Sequence, residues 1–213
     1  MRKLFISLLV SLSTSLFAQD KIAKNILNKL SKTTKSYRNI ILDFDFIIDN
    51  KSQNIHNKQT GRLELQEQKF RLVIGNKTII NDGESQWIYL SDINEVQIIE
   101  AGPEDEMMNP NKLFTIYEKE YKYTYIGTKA KKGKELQIID LFPEKSSSFI
   151  KVTLEVDAAK NQINRISMFD KNGGTYTYEI TTFIVNQVNL SPFIFNSSNY
   201  PDVEIIDLRS LPN

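Results

Sequence analysis

The sequence predicts a mainly β chain with some helix, built on a meandering antiparallel sheet that curls. Three observations carry this. Apolar and polar residues alternate with period two over most of the length, as half-buried strands require. Helical spacing of apolar residues occurs at two places. Short Gly, Asn and Asp turns punctuate the alternating runs, and a sheet of about ten strands rarely stays flat and open.

The first helix is predicted in "DKIAKNILNKLSKTTKSY", where Ile22, Ala23, Ile26, Leu27 and Leu30 form one stripe and lysines stand opposite. Asp20 can cap it. "NIILDFDFIID" follows, with Leu42, Phe44, Phe46 and Ile48 on one face and Asp43, Asp45 and Asp49 on the other. "GRLELQ" turns Leu63 and Leu65 inward, and "KFRLVIG" turns Phe70, Leu72 and Ile74 inward against Lys69 and Arg71. Asp82-Gly83 supplies turn chemistry, because Gly takes positive φ without a Cβ clash. Trp87 and Tyr89 then share a strand face, with Val96 and Ile98 as candidate neighbours. The second helix is predicted in "NPNKLFTIYEKE", where Pro110 suits the first turn and Leu113, Phe114, Ile116 and Tyr117 cluster. The remaining strands are "YKYTYIG", "ELQIIDLF", "FIKVTLEVD", "INRISMFD" and "TYTYEITTF". The lysine run 129–134 reads as a hairpin tip around Gly133, residues 144–149 as a loop, and Asn172-Gly173-Gly174 as a turn.

Arg2 and Lys3, the apolar stretch "LFISLLVSLSTSLF" and Ala18 before Gln19 have the form of a secretory signal peptide over residues 1–18. The stretch is short for a bilayer span, which needs about 20 residues. The expected mature chain, 19–213, is one domain. Without a cysteine it has neither a lipid-acceptor Cys nor a disulfide framework, so a core must stabilise it. Its acidic and basic residues nearly balance, which argues against a nucleic-acid surface. The single histidine, His56, sits in the polar run "NKSQNIHNKQ" and reads as a solvated loop residue without ligand-type partners at metal-site spacing.

In order and spacing, "TGRLELQEQKFRL…TIINDGESQWIYLSDINEVQII", then "LFP", "IKVTLEVD", "INRISMFD", Tyr-x-Tyr before "TTF", and the closing "SPFIFNSSNYPDVEIIDLR" resemble the LolA family of periplasmic lipoprotein carriers. The closing segment has the form found in the family's Bacteroidetes-type members. The resemblance implies a strongly curved, unclosed antiparallel β-barrel of about ten to eleven strands, with helices covering a hydrophobic cavity. It implies that acylated lipoproteins are the cargo, an inner-membrane ABC transporter the donor, and an outer-membrane protein the acceptor. Phe70 matches the family's cavity-side aromatic, and Asp82, Gly83 and Trp87 match its hairpin. Better-studied members carry an Arg-Pro pair shortly before that Phe, and its Arg bonds the covering elements. Here Gln66, Glu67 and Gln68 stand instead, with Arg62 nearby in sequence.

The expected lipid-binding cavity is lined by Phe44, Phe46, Leu63, Leu65, Phe70, Leu72, Trp87, Tyr89, Leu113 and Phe114. Trp87 and Tyr89 read either as wall or rim of that cavity or as packing against the first helix, and Phe44 and Phe46 read as core. The reading is a monomeric periplasmic chaperone without cofactor, metal or catalytic residues. The alternative is a lipid- or glycolipid-binding or stress-sensing module on the same fold. An enzyme has least support, since neither a Gly-x-Ser-x-Gly elbow nor a Cys nucleophile occurs.

Overall fold

The computed structural model describes residues 21–102 and 121–209. The expected signal peptide and the second helix, with Leu113 and Phe114, lie outside the described residues. Helix α1 spans 21–35, and Ala23, Ile26, Leu27 and Leu30 are buried as its periodicity requires. Ile22, expected on the same stripe, is exposed instead.

Among the described residues twelve strands follow. They are β1 (Ile40–Asn50), β2 (Ile55–Gln66), β3 (Lys69–Ile74), β4 (Lys77–Asn81), β5 (Ser85–Leu90), β6 (Glu95–Glu100), β7 (Tyr121–Lys131), β8 (Lys134–Pro143), β9 (Phe149–Asp157), β10 (Gln162–Asp170), β11 (Gly174–Val185) and β12 (Glu204–Asp207). They pair in the order β12-β6-β5-β4-β3-β2-β1-β11-β10-β9-β8-β7, so the sheet is unclosed, with β12 and β7 at its ends. The fold class is the one the alternation predicts. Most neighbours are consecutive in sequence, as expected of a meander. The short β12 runs parallel to β6.

Two of these strands escape a reading based on alternation. In β4, Ile79, Ile80 and Asn81 are all buried, so no polar face marks the strand. In β12, four mostly exposed residues carry too little pattern to register. His56, expected in a loop, lies exposed on the polar first half of β2. The turns behave as their residues dictate. Lys132 and Gly133 both adopt positive φ between β7 and β8, and Asp170 Oδ1 accepts from the Asn172 and Gly174 amides at the β10–β11 turn.

The chain forms two compact units, and β1 and β11 contribute to both. The first contains α1 and β7–β10. Its apolar face pairs Ile139 with Leu154, Leu141 with Val152, Ile163 with Val156, Ile166 with Leu154 and Met168 with Val152, all buried. Its opposite face is charged: Lys129 Nζ donates to Glu155 Oε1 at 2.6 Å and Lys151 Nζ to Asp140 Oδ2 at 3.2 Å. The second unit contains β2–β6, most of β1, the end of β11 and the C-terminal segment.

Candidate functional site

In the second unit, the uninterrupted antiparallel registers from β2 to β6 sort every side chain onto one of two faces. Leu65 stands opposite Phe70 and Leu63 opposite Leu72; Leu72 in turn faces Ile79, and Ile79 faces Ile88. Ile74 and Ile99 belong to the same face by the same registers. Leu63, Leu65, Phe70, Leu72 and Ile79 are buried, while Ile74, Ile88 and Ile99 are half-buried. The face therefore has a dry centre and an accessible apolar margin.

Phe44 extends this face onto β1. A Cβ on Gly61 would collide with its ring, so the missing side chain of β2 is the space in which Phe44 lies. Tyr178 of β11 packs beside it, 5.5 Å from the Phe44 ring and 4.8 Å from the Phe46 ring between centroids. Burial pushes the Tyr178 hydroxyl up to about 12, so it stays a neutral phenol at physiological pH. At the other end, the buried Asn81 and Gln86 pair across β4 and β5 through an Asn81 Nδ2 to Gln86 Oε1 bond of 3.3 Å. Asn81 Oδ1 accepts from the Gly83 amide and Asp82 Oδ1 from the Glu84 and Ser85 amides, which fixes the hairpin.

Trp87 and Tyr89 lie on the opposite face. Trp87 pairs with Ile80 and Ile98, and Tyr89 with Thr78 and Val96. The C-terminal segment packs on Tyr89: Tyr89, Phe195 and Tyr200 form a cluster in which Phe195 and Tyr200 stack at 4.6 Å and 16°. The structure thus brings Phe44, Phe46, Leu63, Leu65, Phe70 and Leu72 onto one face and places the hairpin aromatics on the other.

Charges line that second face nearer β1. Arg62 Nη1 donates to Asp43 Oδ1 at 2.9 Å and Arg62 Nε to Glu64 Oε1 at 3.3 Å; Arg71 Nε lies 4.0 Å from Glu64 Oε2. Arg62 is therefore bound to carboxylates on the face away from Phe70. An open groove of about 550 Å³ lies among Asp43, Asp45, Arg62, Val73 and Thr181. Its charges are paired internally, Lys58 with Asp45 and Arg62 with Asp43. Among the described residues no cluster of His, Cys, Asp and Glu could hold a metal ion, and no helix is long and apolar enough to cross a membrane.

Residues 15–172 match the model of a family described as "Outer membrane lipoprotein carrier protein LolA". No curated protein matches the chain. Among solved structures, an uncharacterized conserved protein from Thermus thermophilus is 12% identical with a TM-score of 0.55, covering 87% of this chain and 98% of its own. LprF from Mycobacterium bovis is 13% identical with a TM-score of 0.51, covering 81% and 97%. These two likenesses are likenesses of fold.

Proposed function

The chain belongs to the outer membrane lipoprotein carrier protein LolA family, and from that premise we propose that it binds the acyl chains of lipoproteins on the Phe70 face and carries them across the periplasm. The observation that carries this is the face itself: five paired strands with an apolar centre and the half-buried margin Ile74, Ile88 and Ile99. Burying an acyl chain releases roughly 0.8 kcal/mol per CH₂, or on the order of 12 kcal/mol gross for a chain of about 15 carbons. Aliphatic and aromatic side chains provide that surface without polar groups that would need partners.

Transfer on this reading is a matter of differential affinity and involves neither cofactor nor covalent chemistry. An inner-membrane ABC transporter hands over the lipoprotein and an outer-membrane acceptor takes it. The family's Arg latch is absent, so the bound state here depends on apolar contact at the margin of the face. The test is native mass spectrometry of the chain purified from the periplasm of its host. Acylated lipoprotein bound one to one is the expected result. Bound phospholipid or glycolipid without protein would replace the carrier reading with a lipid carrier or sensor on the same fold.

A further inference from the structure

The second face of the β3–β6 sheet is covered in an unusual way. Residues 187–203 run across it without joining the ladder: no strand is formed between the end of β11 and the start of β12. The segment's backbone-to-backbone bonds are internal, from Asn199 to Asn196, Tyr200 to Ser197 and Val203 to Tyr200, and its ties to the rest of the chain run through side chains. It contains a single 3₁₀ turn, capped by Asn196 Oδ1 accepting from the Ser198 amide. A strap whose backbone takes no part in the ladder can leave a sheet without breaking any inter-strand hydrogen bond.

What attaches it is local. The aromatic cluster of Tyr89, Phe195 and Tyr200 holds the middle. Arg71 Nη2 donates to the Pro192 carbonyl at 2.5 Å, and Asn94 Nδ2 donates to the Pro201 carbonyl at 3.0 Å. Asn94 is itself held by the Tyr89 hydroxyl, which donates to Asn94 Oδ1 at 3.1 Å. Beyond the strap the chain is tied down differently, by the β12–β6 ladder and by Arg209, which grips Asp207 and Ser85. At the other end the Asn39 side chain clamps Gln187, donating Nδ2 to its carbonyl at 2.8 Å and accepting its amide on Oδ1 at 2.9 Å, and just past this anchor Val188 is 86% exposed. Ile80 and Val96 beneath are fully buried, and Trp87 and Ile98 half-buried.

We propose that residues 187–203 form a displaceable cover over the Trp87–Tyr89 face, latched by Arg71 on the Pro192 carbonyl. Opening it uncovers a second apolar surface made of Ile80, Trp87, Tyr89, Val96 and Ile98, separate from the acyl face. Arg71 is suited to be the latch because it follows Phe70 directly in β3 and points to the other side of the sheet. Its guanidinium lies 4.0 Å from Glu64, which accepts from Arg62, and Arg62 is held in turn by Asp43. One strand therefore presents the centre of the acyl face and the bolt of the cover. This inference does not depend on what the acyl face binds.

The test is amide hydrogen exchange by mass spectrometry on the full chain, beside Arg71→Ala and the milder Arg71→Lys, with iodide quenching of Trp87, the sole tryptophan, as a second readout. The cover is expected to exchange faster than β4 and β5 in the unmodified protein. Arg71→Ala should raise exchange in residues 190–203 by roughly tenfold or more, as losing a hydrogen bond from a charged donor implies, and raise Trp87 quenching, with β4 and β5 unchanged. Arg71→Lys should fall between. Exchange of the segment in step with β4 and β5 would overturn the proposal, because the strap would then be part of one cooperative core. So would a segment whose exchange is the same with and without Arg71.

Discussion

Phe70 and Trp87 lie on opposite faces of the same sheet. The registers that set Phe70 beside Asn81, and Asn81 beside Gln86, set Ile80 beside Trp87. A slip of one residue between strands would merge the two sets, and the Asp82-Gly83 turn prevents it by fixing the β4–β5 register.

This separation decides which substitutions report on binding. Phe70 is 1% exposed, so Phe70→Ala should cost roughly 3–5 kcal/mol of stability, measured by denaturant unfolding, whatever its effect on ligand. Ile88 is half-buried on the same face. Ile88→Ser should leave the fold intact and weaken binding of a fluorescent fatty acid several-fold, and unchanged binding would move the ligand elsewhere.

Gly61 and Phe44 form a second pair with a measurable dependence. Gly61→Val places a branched side chain where the Phe44 ring lies. Overpacking of this kind costs about 1–3 kcal/mol. The double variant Gly61→Val, Phe44→Ala should recover part of that loss, and a double-mutant cycle checks the coupling.

Tyr178 should make the fold sensitive to alkali. Its folded pKa is raised from 10.0 to about 12 by burial, so its contribution is complete below the unfolded value and fades as pH rises through that window. The loss should approach about 3 kcal/mol near the upper end, since each tenfold change in the ionisation equilibrium is worth about 1.4 kcal/mol. Tyr178→Phe should remove this part of the alkaline destabilisation. Denaturant melts at neutral and alkaline pH compare the two proteins.

Asp207 should work in the other direction. Bonded by Arg209, its carboxylate is held down from 3.8 to about 2, so its contribution is present above the unfolded value and lost as pH falls through the folded one. Asp207→Asn should raise amide exchange in β12 at neutral pH and abolish the additional loosening that acid causes in the parent protein. Being solvent-exposed, the pair should affect this edge strand and leave global stability nearly unchanged.

Much of the fold is legible in the sequence because alternation is a direct image of a strand with one dry face. Leu63 with Leu65, and Phe70 with Leu72, are buried on the face that spacing alone predicts for them. The hairpin aromatics escape such a reading, because period two says which residues share a face of one strand and nothing of which face that is relative to the next. The turn between strands settles it, through a register that residue types leave open. β4 is hidden because both of its sides are dry, and β12 because it is short and pairs in parallel. The cover is visible as the stretch "SPFIFNSSNYPDV", but its purpose is not: Phe195 and Tyr200 are five positions apart and meet only through a 3₁₀ turn.

The most direct measurement is site-resolved photocrosslinking with a diazirine-bearing lipoprotein acyl chain, followed by peptide mapping. The account predicts adducts at Ile74, Ile88 and Ile99 and few at Trp87 and Ile98. Labelling concentrated on Trp87 and Ile98, with the Phe70 face unmarked, would contradict it.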